Sequence, residues 1–505
     1  MGKIKSAILT AILVAGIVVL AFFATVSYTV PGTEKVKKYN SFVSSISLSG
    51  DLTGEAVAVL YPKGVISEAD YQFGIPDNDD EDKYDEYVNK YRQFGSVYVE
   101  TDTLIDDENA VELKKSVKHD AAILSKRLAE EGYYAYSVAI RDDFTIVVSV
   151  PTGYSYAEYS GGDYSTSTRS DKQTQVSNAI SHLAYDGELT LRNDALGVGN
   201  DHILDSITAD ASSYFKSFKA FSRGGAYAIK VNLTKEGAEA FERYSTKIIE
   251  TTPSDTAIGF YVGDNQLLSL TIGEEAITDS SFYITVNSKE MAVEYATVLN
   301  SCINGDVITL NYNTLNDIDI VYSSASLGDY SAVFLFCTVL AILAAAIIYS
   351  AIRYRLLGFV NALIILMYAL TIVVALMLIG IQLSIAGAIF ALAGLMLLVG
   401  CNFVVFERVR QETEKGKTMQ SAIKSAYKAL LKGILELHVV IVAVSLILAL
   451  VCVGELAACG LIFFIASVAS YLLYWFTRLM WFIVSSTVRD KFAFCGFKRE
   501  ETEDD

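Results

Sequence analysis

The sequence predicts an α-helical polytopic membrane protein, with six transmembrane helices and a large α+β (ferredoxin-like) extracytoplasmic domain between the first two. Three observations carry this. The chain of 505 residues is 52% hydrophobic, too apolar for an ordinary soluble protein of its length, and the excess is gathered at its two ends. Lys and Arg flank the apolar runs on one side only. Residues 31–329 contain no apolar run of membrane length and alternate between strand-like and helix-like periodicity.

Lys3 and Lys5 precede an apolar run from Ala7 to Val26. It is longer than the hydrophobic part of a typical signal peptide and ends without a small-x-small cleavage pattern, so an uncleaved span is expected, a cleaved signal being the alternative. Five more spans are expected at Ser331–Ile352, Leu356–Ile381, Ile385–Phe406, Gly433–Gly454 and Leu456–Thr477. The third of these covers roughly 33 Å as a helix, enough for a hydrocarbon core of about 30 Å, and the others are expected to pack around it. Lys3 and Lys5, Arg353 and Arg355, the stretch 407–432, and Arg478 to Arg499 fall on one side of these spans. The opposite connections, Gly380–Ser384 and Gly454–Glu455, have no Lys or Arg. Both termini are therefore expected in the cytoplasm, with 407–432 a cytoplasmic loop and 489–505 a cytoplasmic acidic tail.

The net charge is −18, and the excess acid lies in residues 31–329, so nucleic acid is not expected as a partner. Of six cysteines only Cys302 lies in that region, which rules out a disulfide within it. All five prolines (Pro31, Pro62, Pro76, Pro151, Pro253) precede the bundle, whose helices lack proline kinks. Inside the domain, Ala56–Tyr61, Ala135–Ile140, Phe144–Val150, Glu188–Arg192, Tyr227–Leu233, Ala257–Val262 and Leu267–Leu270 read as strands. Leu113, Val117, Ala121, Leu124 and Leu128 mark a helix face, as do Val176, Ile180 and Leu183, then Ala238, Phe241 and Ile248, then Met291, Tyr295, Val298 and Leu299. Thr234 is placed to cap the third of these helices, and Asn287 with Glu290 resembles a capping box for the fourth. Residues 152–170 read as a linker, and the stretch from Arg192 to Gly225 is poorly patterned.

Enzyme readings find no support. His119, His182 and His202 are scattered without metal-ligand spacing, and no nucleophile-elbow, Walker or dinucleotide pattern occurs, so neither a metal nor a cofactor is expected. The acidic run Asp77–Glu86 invites a calcium reading but lacks the EF-hand ligand order, and a solvated acidic loop is expected instead.

Several blocks, taken in order, resemble the SecD family, membrane-embedded accessory subunits of the bacterial Sec export machinery. Leu48 to Gly54, with Asp51 and Gly54, resembles the family's LGLDLxGG. Lys230 to Phe241 resembles its strand-then-helix block. Tyr354, Arg355 and Gly358 match its YRxxG turn, and Phe406-Glu407-Arg408-Val409-Arg410 its FERIRE. Against shorter members, residues 65–107 look like an insertion. The resemblance implies a SecF-like membrane subunit and the SecYEG channel as partners, unfolded secretory polypeptide as the substrate of the outer domain, lipid contact, a bacterial plasma-membrane location, and drive from the proton-motive force. The alternatives are a small-molecule or lipid exporter of the related RND superfamily, which usually has twelve spans, and a passive membrane-anchored chaperone or scaffold without proton coupling.

The departures bear on mechanism. Where the family has its coupling aspartate this chain has Gly400, followed by Cys401 and Asn402. In the next span the family's second D-A-N reads Glu436-Leu437-His438. Glu436, His438 and Asn402 are the candidate proton-relay residues. The competing readings are a juxtamembrane Lys432–Glu436 pair, a histidine bonded to a neighbouring helix, and Asn402 as interhelical glue. Glu436 and His438 stand about 200° apart on a helix, which puts them on different faces.

Overall fold

A computed structural model describes residues 3–497 apart from 31–36, 77–80, 102–106, 143, 155–165, 194–210, 224, 252–255, 274, 313–319, 326–327, 329 and 487–490. In chain order its elements are α1 (Lys3–Thr25), β1 (Tyr28–Val30), β2 (Lys37–Tyr39), α2 (Gly50–Thr53), β3 (Glu55–Leu60), β4 (Val65–Ser67), α3 (Glu68–Gly74), α4 (Glu81–Lys90), β5 (Tyr91–Phe94), β6 (Val97–Glu100), α5 (Asp107–Glu131), β7 (Ser137–Arg141), β8 (Thr145–Pro151) and α6 (Thr166–Leu183). There follow β9 (Leu189–Arg192), α7 (Ala211–Tyr214), β10 (Phe215–Arg223), β11 (Ala226–Leu233), α8 (Lys235–Thr251), β12 (Ala257–Val262), β13 (Asn265–Thr271), β14 (Ser281–Val286), α9 (Lys289–Ile303) and β15 (Ile320–Ser323). The chain closes with α10 (Ser331–Ile379), α11 (Ile385–Glu414), α12 (Met419–Val451), α13 (Glu455–Val484) and α14 (Lys491–Cys495). Two compact units result: a helical one from Met1–Glu55, Pro151–Arg169 and Ser324–Asp505, and an α+β one from Ala56–Val150 and Ser170–Ser323.

In the helical unit, α10, α11, α12 and α13 are long and apolar enough to cross a membrane. At 49 residues α10 would measure about 73 Å if straight, more than twice a hydrocarbon core. It is not straight. Arg355 has φ 48 and ψ −114, a conformation outside the helical region that ordinary residues avoid. Nδ2 of Asn361 donates to Oγ of Ser350 at 2.9 Å, and a Cβ on Gly358 would stand 1.8 Å from the Ser350 carbonyl. Both contacts reach across Arg355, so the chain doubles back there. The two spans expected at Ser331–Ile352 and Leu356–Ile381 are the arms of this hairpin. The most buried apolar stretch belongs to α13, at 50% against 39% for α11, so α13 and not Ile385–Phe406 is the central helix. The stretch 407–432, expected as a loop, is helical except for Lys415–Thr418, because its Glu, Gln, Lys, Arg and Ala residues are good helix formers and carry both helices past their apolar parts.

Among its described residues the α+β unit contains four small sheets. One has the order β15-β3-β8-β7, the strand order of the ferredoxin-like split βαβ motif. The others run β10-β11-β14, β13-β12-β9 and β4-β6-β5. β3 alternates half-buried and buried residues, Ala56, Ala58 and Leu60 facing the core. Four sequence expectations change here. The poorly patterned stretch before Gly225 contains β10, whose serines and lysines mask its alternation. The acidic run is helical from Glu81, with Asp77–Asp80 outside the described residues. Within the linker, the segment 155–165 also lies outside them, and α6 begins at Thr166. The cap of α9 is Ser288 rather than Asn287, its side chain accepting from the Met291 amide at 3.1 Å.

Buried polar groups fix α5 in this unit. Asp120 is fully buried and accepts from the amides of Thr309 and Leu310 at 2.9 and 3.0 Å and from the Tyr312 hydroxyl at 3.1 Å. Arg127, also fully buried, donates to the carbonyls of Leu183 and Tyr185 and to Ser301 Oγ at 2.8–2.9 Å. At the end of α5, burial raises the Glu131 carboxyl to about 8, aided by the charges of Glu294 and Glu290. The Glu294 carboxylate lies 2.5 Å from Nδ1 of His182, and Thr297 donates to Glu131 at 3.4 Å.

Two measurements follow from these contacts. Glu131 holds its proton more tightly folded than unfolded, so its contribution is fully present below about pH 4.5 and is lost as pH rises through about 8. The melting temperature of the α+β unit in the full-length protein is expected to fall across that window, and Glu131→Gln to flatten this part of the profile. Gly358→Ala pushes a methyl into a backbone carbonyl and is expected to destabilise the hairpin by about 1–3 kcal/mol. Gly400→Ala, whose Cβ meets nothing within 4 Å, brings the same gain in helix propensity without the clash and serves as the control that is not destabilised.

Candidate functional site

The candidate site is a line of polar side chains inside the helical unit. An amide buried among apolar helices must be paired within the protein, and Asn402 shows how. It is fully buried on α11, and its Nδ2 donates to Oδ1 of Asn361 at 2.8 Å and reaches Oγ1 of Thr477 at 3.4 Å. Asn361 passes the chain on to Ser350, which donates to the Ala346 carbonyl at 2.8 Å. Both arms of the α10 hairpin, α11 and α13 are thus linked through two amides, Asn361 and Asn402. Oδ1 of Asn402 is buried with no hydrogen-bond partner among the described residues. Sequence reasoning singled out Asn402 but missed Asn361, Ser350 and Thr477, whose only signal was a polar residue in an otherwise apolar run.

The other residues at the expected coupling positions do not join this line. Gly400 is exposed on α11. With Cys401 and Val404 it lines a shallow apolar groove completed by Gly433, Ile434 and Leu437 of α12. Glu436 is on the outward face of α12, its side chain 65% exposed, with Lys432 Nζ 3.8 Å from its carboxylate. Such an exposed pair contributes little to stability. His438 is buried on the other face, its Nδ1 2.8 Å from the Ile434 carbonyl and its Nε2 3.3 Å from the Ser470 hydroxyl. A carbonyl only accepts, so Nδ1 carries the proton there and Nε2 accepts from Ser470. Both nitrogens are occupied, Nδ1 by a bond within α12 and Nε2 in joining α12 to α13.

At the charged end of α11, Phe406 is fully buried, its ring 3.9 Å from that of Trp481 and 4.6 Å from that of Tyr354. Glu407 accepts from the Tyr354 hydroxyl at 3.1 Å and from Arg353 at 3.2 Å, tying α11 to the hairpin turn at Arg355. Arg410 lies 3.7 Å from Glu407 and 3.0 Å from Glu414. Arg408 reaches Glu412 at 3.3 Å. Glu412, which sequence reasoning missed, is the buried centre of this cluster and also meets Lys415, Lys417 and Ser425 of α12.

At the opposite end of α11, Oδ2 of Asp51 accepts from the Ile385 amide at 2.6 Å, beside Ser384, whose hydroxyl accepts from Gly387 at 2.9 Å. Backbone bonds hold Asp51 there: Leu383 donates to Ser47, Ser49 to Leu383, and Leu48 to Tyr154. Gly54, at φ 93, turns the chain out of α2, and its carbonyl accepts from Thr152. Among the described residues no cluster of three His, Cys, Asp or Glu is placed to hold a metal. A double-mutant cycle of Asn361→Ala and Asn402→Ala, read by unfolding in detergent, is expected to give a coupling energy of about 1 kcal/mol.

Comparison with known proteins sets this geometry in context. No protein-family profile matches the chain. A protein translocase subunit SecD from Synechocystis sp. is 24% identical over 221 residues, 43% of this chain and 45% of that protein. A crystal structure of SecDF in its super-membrane-facing form aligns with 96% of this chain at a TM-score of 0.50 and 17% identity, and the fold is of that kind. A second SecDF structure, of a translocon-associated membrane protein from a Thermus species, aligns over 96% of the chain at a TM-score of 0.40 and 16% identity. The chain spans 59% and 60% of these two structures.

Proposed function

We propose that this SecD-like chain is an accessory subunit of a Sec-type translocon in a bacterial plasma membrane. Its four long apolar helices and its SecD likeness make it a membrane protein. In this reading α1, the two arms of α10, α11, α12 and α13 are six spans, both termini are cytoplasmic, and the α+β unit lies outside. The observation that carries the proposal is the similarity to a SecD translocase subunit, supported by SecDF-like architecture over nearly the whole chain. The α+β unit binds emerging unfolded polypeptide. Two states of that unit with different affinity for the chain make its diffusion one-way. The partners are a SecF-like membrane subunit, the SecYEG channel and the polypeptide itself.

Within this reading, the relay residues favour a chain that does not carry protons alone. Gly400 has no titratable group, His438 and Asn402 serve as joints between helices, and Glu436 lies on the outward face beside Lys432. We place any acid needed for proton coupling on the partner subunit.

The test is mild-detergent purification after cross-linking in native membranes, with every co-purifying protein identified. A SecF-like subunit and Sec channel components are expected; recovery of the chain alone, or with exporter components, overturns the proposal. In an export assay under an imposed pH gradient, Glu436→Gln is expected to retain activity within about twofold. A loss of tenfold or more, equivalent to about 1.4 kcal/mol, would assign the relay to Glu436.

A further inference from the structure

One strand of the α+β unit has an open edge whose hydrogen-bonding register can be read. β10 pairs with β11 on one side, and no other described strand lies on its far side. At Phe218 that far side is occupied by a side chain acting as a strand would. The Phe218 amide donates to Oδ1 of Asn300 at 2.8 Å, and Nδ2 of Asn300 donates to the Phe218 carbonyl at 2.8 Å. The peptide groups of Phe218 therefore point away from β11. With a strand period of two, those of Ala220 and Ser222 point the same way. Both residues are exposed, and no described group hydrogen-bonds to these outward groups.

The surface beside this edge is aromatic and cationic, in a unit whose charge is otherwise acidic. Phe221 and Tyr283 are 40% and 50% exposed with ring centroids 5.1 Å apart, and Lys230 lies 5.8 Å over Tyr283. The register places Lys219 opposite Lys230, and Lys230 opposite Tyr283. Lys219 and Arg223 are exposed, and among the described residues none of Lys219, Arg223 and Lys230 forms an ion pair with a carboxylate.

We propose that the edge of β10 from Lys219 to Arg223 docks an extended segment of unfolded polypeptide as an added strand. Phe221 and Tyr283 take an apolar side chain, and the three cations favour an acidic one. The occupant follows from the chemistry. A row of main-chain donors and acceptors at two-residue spacing is matched by another backbone, largely irrespective of its sequence. Open edges are normally covered or blunted, and here the Asn300 amide covers Phe218 and leaves the next two outward positions clear. The inference rests on the polypeptide-binding part of the proposed function and locates it.

The experiment uses the full-length protein in detergent and a fluorescent, reduced and carboxymethylated polypeptide that cannot fold, with binding read by anisotropy. Proline at position 220 removes an outward N–H without touching the β10–β11 ladder. Ala220→Pro is expected to weaken binding about tenfold and Phe221→Ala about threefold, each with an unchanged circular dichroism spectrum. A photoreactive side chain replacing Phe221 is expected to capture the probe. If wild type binds and all three readouts stay at control level, the edge is not the site, while polypeptide binding stands. If wild type does not bind, the polypeptide-binding reading falls with it. Should Ala220→Pro lower the melting temperature, Phe221→Ala and the photocapture decide by themselves.

Discussion

The helical unit depends on a rule that apolar surroundings impose: an amide with no water must find its partner in the protein. The Nδ2 group of Asn402 obeys it by drawing three helices together, although its Oδ1 has no partner among the described residues. The Asn361 to Ser350 step requires the reversal at Arg355, and the Thr477 contact places α13 against both. The small residues nearby serve the same end. A Cβ on Gly394 would stand 2.5 Å from the Tyr368 hydroxyl and 2.6 Å from Cβ of Ala466, so the helices can approach only because it is absent. Polar pairing sets which helices meet, and missing side chains set how closely.

The two ends of α11 are held by different chemistry. At one end stand acceptors for the first amides of the helix, the Asp51 carboxylate and the Ser384 hydroxyl. At the other stand the Glu407 and Glu412 clusters, built from charges within a few residues and from neighbouring segments. Between them Gly400 opens one face of the helix while Asn402 closes the opposite one. Gly400 and Asn402 sit two residues apart on this helix, and Asn402 carries the pairing between helices.

Much of this was legible in the sequence. The apolar runs are long, and the Arg353–Gly358 block marked a turn because cations and a glycine interrupt an otherwise greasy stretch. Less legible was β10. Its core-facing Phe218 and its exposed Lys219, Phe221 and Arg223 alternate only partly, and the bulge between Phe215 and Ser217 breaks the period at its start. Stretch 407–432, expected as a loop because it connects two spans, is largely helical, since Lys, Arg, Glu and Ala favour helix as strongly as apolar residues do. The partners of Asn402 were invisible because they come from positions far apart in the chain. Asn361 and Thr477 carry no mark that distinguishes them from ordinary polar residues in a span.

The Asp51 contact has a consequence for how the protein is made. Asp51 and the Ile385 amide are 334 residues apart, and the backbone bonds around them join residues 47–49 to 383. A ribosome that has released Asp51 must add the whole α+β unit and the α10 hairpin before that carboxylate meets its helix. Until then the early segment waits with its hydrogen-bonding groups unspent. A chain cut short before residue 383 would leave the Asp51 segment without the helix end that anchors it.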